Sequence, residues 1–243
     1  MSARILVAGA AGAIGRRLVP MLKDAGYVVI AMTRSAAKAG ALRDMGAEVE
    51  VVDVFDKEKL FRAVAAARPE RVIHQLTDLP RGLDPAQMND AIIRNARIRR
   101  EGTFNLVGAA IAAGAGRLVA QSIAWAYAPG PLPHKESDPL DLGAEGKRAI
   151  SIGGIVALEN CVLGSAGITG AVLRYGQLYG PGTDADMASG AVPLHVDAAA
   201  YAALLAVGRD VCGAFNVAEP NGQVSTERAR VELRWDADFR ISR

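Results

Sequence analysis

Gly9, Gly12 and Gly15 stand three apart in Val7-Ala8-Gly9-Ala10-Ala11-Gly12-Ala13-Ile14-Gly15. An apolar run precedes them and a helical pattern follows. Glycine at these positions permits a tight turn, lets the backbone approach a pyrophosphate, and lets strand and helix pack closely. Amides at the helix start, those of Ala13 and Ile14 among them, would be free to donate to phosphate, aided by the positive helix end. The chemistry this predicts is dinucleotide binding. The second apolar run ends Ala31-Met32-Thr33-Arg34-Ser35. NAD sites place an acid about 20 residues beyond the glycine turn to hold the ribose 2′-hydroxyl. No acid stands there, and the next is Asp44. Arg34 and Ser35 suit a 2′-phosphate instead, with Arg16 close to the turn, so NADP(H) is expected and NAD is the alternative. Asp53, followed by Val54, ends a third run. It serves either the adenine amino group or the start of a helix near Lys57. Gln75, Leu76 and Thr77 follow a fourth run and would line the middle of the cofactor.

These residues need a scaffold. Strands are predicted at Arg4–Ala8, Val28–Met32, Glu48–Val52, Arg71–His74, Leu118–Gln121 and Ala171–Arg174, with helices at Ile14–Ala25, Lys57–Ala66 and Pro85–Ala113 between them. Asp84 and Pro85 suit the cap and first position of the last of these. Strand–helix alternation with nearly continuous apolar strands predicts an α/β fold, a Rossmann-type doubly wound parallel sheet covered on both faces. One domain over 1–243 is expected, with a small, trimmed substrate region built from about 127–150, 177–196 and 217–243. Pro129 to Gly146 reads as a surface loop at the mouth of the site.

A net charge of +2 and a pI near 8.6, with no basic stripe, argue against nucleic acid as a partner. The most apolar stretch, Ala191 to Gly208, is interrupted by His195 and Asp197, so no membrane span is expected. The first strand begins too early for a signal peptide, and Cys161 and Cys212 lack metal or disulfide spacing, which predicts a cytoplasmic protein with reduced thiols. His74, His134 and His195 form no ligand pattern, so no metal is expected.

The glycine turn, Asp53, Val72-Ile73-His74, Glu101-Gly102-Thr103-Phe104-Asn105-Leu106, Leu173-Arg174-Tyr175-Gly176, Leu178-Tyr179-Gly180-Pro181-Gly182 and Leu194-His195-Val196-Asp197 resemble the extended short-chain dehydrogenase/reductases. That family includes nucleotide-sugar epimerases and dehydratases, and the likeness covers nearly the whole chain. It implies hydride transfer at nicotinamide C4 and a cofactor contact at Tyr175. It also implies Ser/Thr, Tyr and Lys as catalytic residues. Ser122 is the match for the serine; the alternative is a satisfied strand-end serine. Tyr and Lys find no match. Counting back from Glu159 places Ile155 where lysine belongs and Ser151 where tyrosine belongs.

Tyr127 is then the one candidate acid, or else a wall of the pocket. Without a lysine to lower its pKa it would favour carbonyl reduction over alcohol oxidation. Lys147 and Arg148 lie nearby and read as solvated on the loop, with supplying charge to Tyr127 as the alternative. Arg94, Arg97, Arg99 and Arg100 read as a solvated helix face, with an anionic substrate as the alternative. The stretches 182–195 and 217–243 are short for a nucleotide-sugar pocket. The expectation is an oxidoreductase on a small carbonyl or alcohol; a non-catalytic cofactor sensor and an epimerase-like enzyme are the alternatives. The resemblance further implies a homodimer through the helix Ile152–Leu163 and the long helix before it.

Overall fold

The computed structural model describes residues 2–80, 84 and 86–241. Its elements run β1 (Arg4–Ala8), α1 (Ala13–Asp24), β2 (Val28–Thr33), α2 (Ala39–Asp44), β3 (Glu48–Val51), α3 (Lys57–Ala67), β4 (Arg71–His74), α4 (Met88–Arg97), α5 (Thr103–Ala112), β5 (Arg117–Ile123), α6 (Gly146–Gly164), β6 (Thr169–Tyr175), β7 (Gln177–Tyr179), β8 (Pro193–His195), α7 (Val196–Gly208), β9 (Gly213–Val217) and α8 (Glu227–Glu232). Seven strands form one parallel sheet in the order β3-β2-β1-β4-β5-β6-β9. The order reverses between β1 and β4, which opens a crevice at their carboxyl ends, the place where open α/β sheets bind ligands. β7 and β8 make a separate parallel pair.

Alternate side chains along the central strands enter opposite cores. Ile5 and Val7 of β1, with Ile73, Val119, Leu173 and Phe215, pack against α1 and α7. Leu6 and Ala8, with Val72, Leu118 and Val172, pack against α3, α5 and α6. That alternation buries both faces, which is why the strands read as unbroken apolar runs.

The helix expected over Pro85–Ala113 is three pieces. α4 begins at Met88, and a π-helical turn at Ile98–Gly102 joins it to α5. Pro85 lies outside the described residues. Asp84 does not cap α4; its carboxylate accepts from Ala86 N at 3.0 Å in the turn before the helix. The tail packs on the core and also touches the expected substrate region, where Arg240 donates to Tyr179 Oη at 3.2 Å and to Glu219 Oε1 at 2.9 Å. Trp235 Nε1 donates to the Ala198 carbonyl at 2.8 Å, and Phe239 stacks on Tyr201 at 4.1 Å between ring centroids. Trp235 and Phe239 therefore close the core over α7, and Ala218 and Val224 pack with Tyr127 and Val192. No helix among the described residues is long and apolar enough to cross a membrane.

Candidate functional site

Gly9 adopts φ +86°, and a Cβ there would sit 2.5 Å from the Gln75 carbonyl oxygen. Only glycine lets β1 turn so tightly against the end of β4. Gly12 precedes α1 in extended conformation, its amide bonded to the Gly9 carbonyl at 3.0 Å. The first bond within α1 is Arg16 N to Gly12 O. The amides of Ala13, Ile14 and Gly15 are thus left without helical partners, and no acid in the first turn competes for the positive helix end. Beside the turn, Gln75 is buried and its Oε1 has no partner among the described residues, while its Nε2 donates to Tyr175 Oη at 3.4 Å. Tyr175 Oη in turn donates to the Ala199 carbonyl. Free amides, a glycine cradle and an orphaned amide oxygen fit a pyrophosphate-linked dinucleotide.

At the expected adenosine end, Arg34 is exposed and pairs with Asp78 at 3.2 Å, and Arg94 reaches the other oxygen of Asp78 at 3.3 Å. Sequence spacing offered no sign of Asp78, because it comes from the loop after β4. Ser35 takes its amide to Thr33 Oγ1, leaving its hydroxyl unassigned. Of the two readings of Asp53, the helix cap goes to another residue. Asp56 accepts from Lys59 N at 3.1 Å and opens α3, whereas Asp53 accepts from Phe55 N at 2.9 Å. Val54 is buried under Gly102, and its carbonyl accepts from Asn105 Nδ2 at 3.1 Å. The π-turn and α5 thus fix the loop that carries Asp53.

His74 ends β4 fully enclosed. Its Nδ1 accepts from Leu76 N at 3.2 Å and its Nε2 lies 2.9 Å from Thr103 Oγ1. The backbone bond requires a bare Nδ1, so the proton sits on Nε2 and the ring is neutral. Burial, with Arg99 adding repulsion, brings its pKa down to about 4. Arg99 sits in the π-turn with no hydrogen bond or ion pair among the described residues, and burial lowers its pKa to about 10.

Ser122, the match for the family serine, and Tyr127, the candidate acid, are both hydrogen-bonded within the protein. Ser122, 1% exposed, donates to Glu159 Oε1 at 2.7 Å. Glu159 holds Arg174 through both oxygens, at 3.0 and 2.7 Å. Arg174 donates to Tyr127 Oη at 2.8 Å, and Tyr127 donates to Asn216 Oδ1 at 2.6 Å. Burial pushes the Tyr127 phenol above its ordinary pKa, with Arg174 opposing. Burial would depress Arg174, but Glu159 outweighs it and leaves the guanidinium firmly charged. Ser122 and Tyr127 therefore belong to one closed polar chain linking β5, α6, β6 and β9. Successive strand residues face opposite ways, so Ile123, not Ser122, turns to the open side.

A cavity of about 230 Å³ lies there, between α4, the end of β5 and the first turns of α6. Ile92, Ile123, Trp125 and Ile152 line it, with Ser151 and Lys147. Arg148 also borders it but is tied to Asp141 at 2.6 Å and to the carbonyls of Trp125 and Tyr127. Ile155 is buried with Ile123 and Ile152 beneath. A second depression, lined by Arg71, Arg117 and Asp210, opens at the amino edge of the sheet, away from the glycine turn.

Comparison with known proteins agrees with this geometry. The chain is 43% identical over 237 residues to a Streptomyces 3-diazoavenalumate denitrifying reductase, covering 89% of this chain and 76% of that protein. The fold superimposes on UDP-glucose 4-epimerase from Thermotoga maritima, solved with UDP-glucose, at a TM-score of 0.79 with 19% identity over 98% of this chain and 94% of that one. Bordetella bronchiseptica WbmG, solved with NAD, gives 0.74 with 19% identity over 99% and 91%. The profile of the NAD dependent epimerase/dehydratase family matches residues 5–211, from the first strand through the glycine turn to the end of α7 and beyond. With that span matched and the crevice built as described, the chain belongs to the NAD dependent epimerase/dehydratase family.

Proposed function

We propose that this protein is an NADPH-dependent reductase that delivers hydride to an acceptor needing no proton from the protein, a diazo-substituted carboxylate being the class. The observation that carries it is that Ser151 and Ile155 stand where the family has tyrosine and lysine, with Ile123 beside them, so the family's phenol and ammonium are missing from those two positions and the cations of the lining are Lys147 and Arg148. A reduced nicotinamide dinucleotide held by its pyrophosphate at the glycine turn would supply hydride. The free amides of α1 would hold its pyrophosphate, Arg34 and Ser35 would hold the 2′-phosphate, and the isoleucines would keep water out. Reducing a ketone to an alcohol takes a hydride and a proton, and a positioned acid contributes about 10²- to 10⁴-fold. Converting R–N₂⁺ to R–H and N₂ takes a hydride alone, so charge and atoms balance with no acid. The named substrate class of the 43% identical relative fits this demand.

The test is stopped-flow consumption of NADPH with 4-diazobenzoate, against the rate without enzyme, with N₂ and benzoate quantified. Enzyme-dependent turnover giving one N₂ per NADPH, with deuterium from labelled NADPH in the benzoate, is the expected result. Tight NADPH binding without any acceleration would instead favour the sensor reading.

A further inference from the structure

We infer that the cavity beside α6 is a carboxylate-selective site for a flat, unsaturated acid, with Lys147 pairing its anionic end and Trp125 covering its body. The inference rests on the reductase reading for where the cavity stands in the reaction, but its chemistry comes from the lining itself. Three isoleucines and an indole supply the walls, and no carboxylate lines it among the described residues. Of the two cations at its border, Arg148 already carries Asp141. Lys147 makes no hydrogen bond or ion pair among the described residues, which leaves its ammonium to a ligand. Trp125 is 40% exposed although it lines a concavity, and an indole left open beside an apolar floor suits stacking on a planar partner.

Size selects within the acids. A cavity of about 150 Å³ holds benzene, so 230 Å³ admits one ring with a short conjugated arm. Ile123 and Ile152 reject a hydrated sugar ring, whose hydroxyls would lose water and gain no partner there.

Trp235 is 3% exposed and held by Ala198, and it is the other of the chain's two tryptophans. Trp125 emission therefore reports the cavity. The full chain, with and without NADP⁺, would be titrated with cinnamate, methyl cinnamate and UDP-glucose. Cinnamate should quench, and Trp125→Phe should abolish the quench. Methyl cinnamate should bind about three- to fivefold more weakly, and Lys147→Met should weaken cinnamate by about the same factor while leaving the ester unchanged. Lys147 is exposed, so circular dichroism of that variant should match the parent. Equal affinity for acid and ester, an unchanged Lys147→Met, or displacement of cinnamate by UDP-glucose would overturn the inference. Cinnamate selectivity without turnover of 4-diazobenzoate would sink the reductase reading and leave this one standing. Turnover without discrimination between acid and ester would do the reverse.

Discussion

Ser122 and Ile123 show how one residue decides chemistry. Both close β5, yet one donates into a buried carboxylate and the other faces the cavity. The serine's role was not legible from spacing, because a one-residue shift in register exchanges the two faces of a strand. Tyr127 was likewise visible as a hydroxyl near the site, but not as a link between Arg174 and Asn216, since both partners come from strands far along the chain. Tyr127→Phe is accordingly expected to act on stability. It leaves a buried acceptor and a charged donor short of a partner, costing about 1–3 kcal/mol, while kcat per folded molecule stays level. Urea unfolding alongside active-site-normalised turnover checks this; a kcat loss of about a hundredfold with an unchanged midpoint would restore Tyr127 as an acid. Installing Ser151→Tyr with Ile155→Lys should raise carbonyl reduction above the parent, measured over an aldehyde panel at pH 7. Arg34→Ala should narrow the preference for NADPH over NADH by removing the planar fork suited to a 2′-phosphate. The shift should be modest, because Asp78 already shares that guanidinium. An unaltered ratio of the two dissociation constants would remove Arg34 from the 2′-phosphate site.

At the level of elements, the glycine turn and the first four strands were readable because strand, turn and helix signals agree over a short span. The break at residues 98–102 was not. Periodicity alone runs a helix straight through to Ala113, and only the packing of Gly102 on Val54 and of Gly154 on Ala96 shows why the π-turn is placed there. That turn works with β4 through His74. The imidazole is neutral in the fold with a pKa of about 4, whereas in the unfolded chain it titrates near 6.5. The unfolded state therefore binds the proton first. Stability from this group is whole above about pH 6.5 and is lost as pH falls through 4, up to about 3 kcal/mol. Denaturant midpoints between pH 7.5 and 4.5 should fall for the parent and fall less for His74→Asn. Parallel slopes for the two would assign the acid sensitivity to other groups.

For the molecule as a whole, the parallel sheet was predictable from alternation, but its seventh strand and the return of the tail onto α7 depend on contacts between segments remote in sequence. Association is a property of the same order. Ile93 of α4, Phe104 and Ile111 of α5 and Leu163 of α6 are all exposed, Phe104 by 66%. α4 and α5 pack alongside α6, with Gly154 letting α4 approach closely, so these side chains belong to one helical layer. A single exposed leucine is ordinary, whereas several on adjoining helices suggest a surface made to be covered. A second copy related by a two-fold axis would place the same patch against itself, and the pair α4–α5 with α6 from each copy would make four helices. We expect a homodimer at micromolar concentration by light scattering. Phe104→Glu should shift it to monomer, because two like charges would face each other near the axis without partners. Since Phe104 is exposed in the protomer, the substitution should leave the monomer folded and NADPH binding intact. A parent that scatters as a monomer, or a Phe104→Glu variant that stays dimeric, would move the contact off this layer.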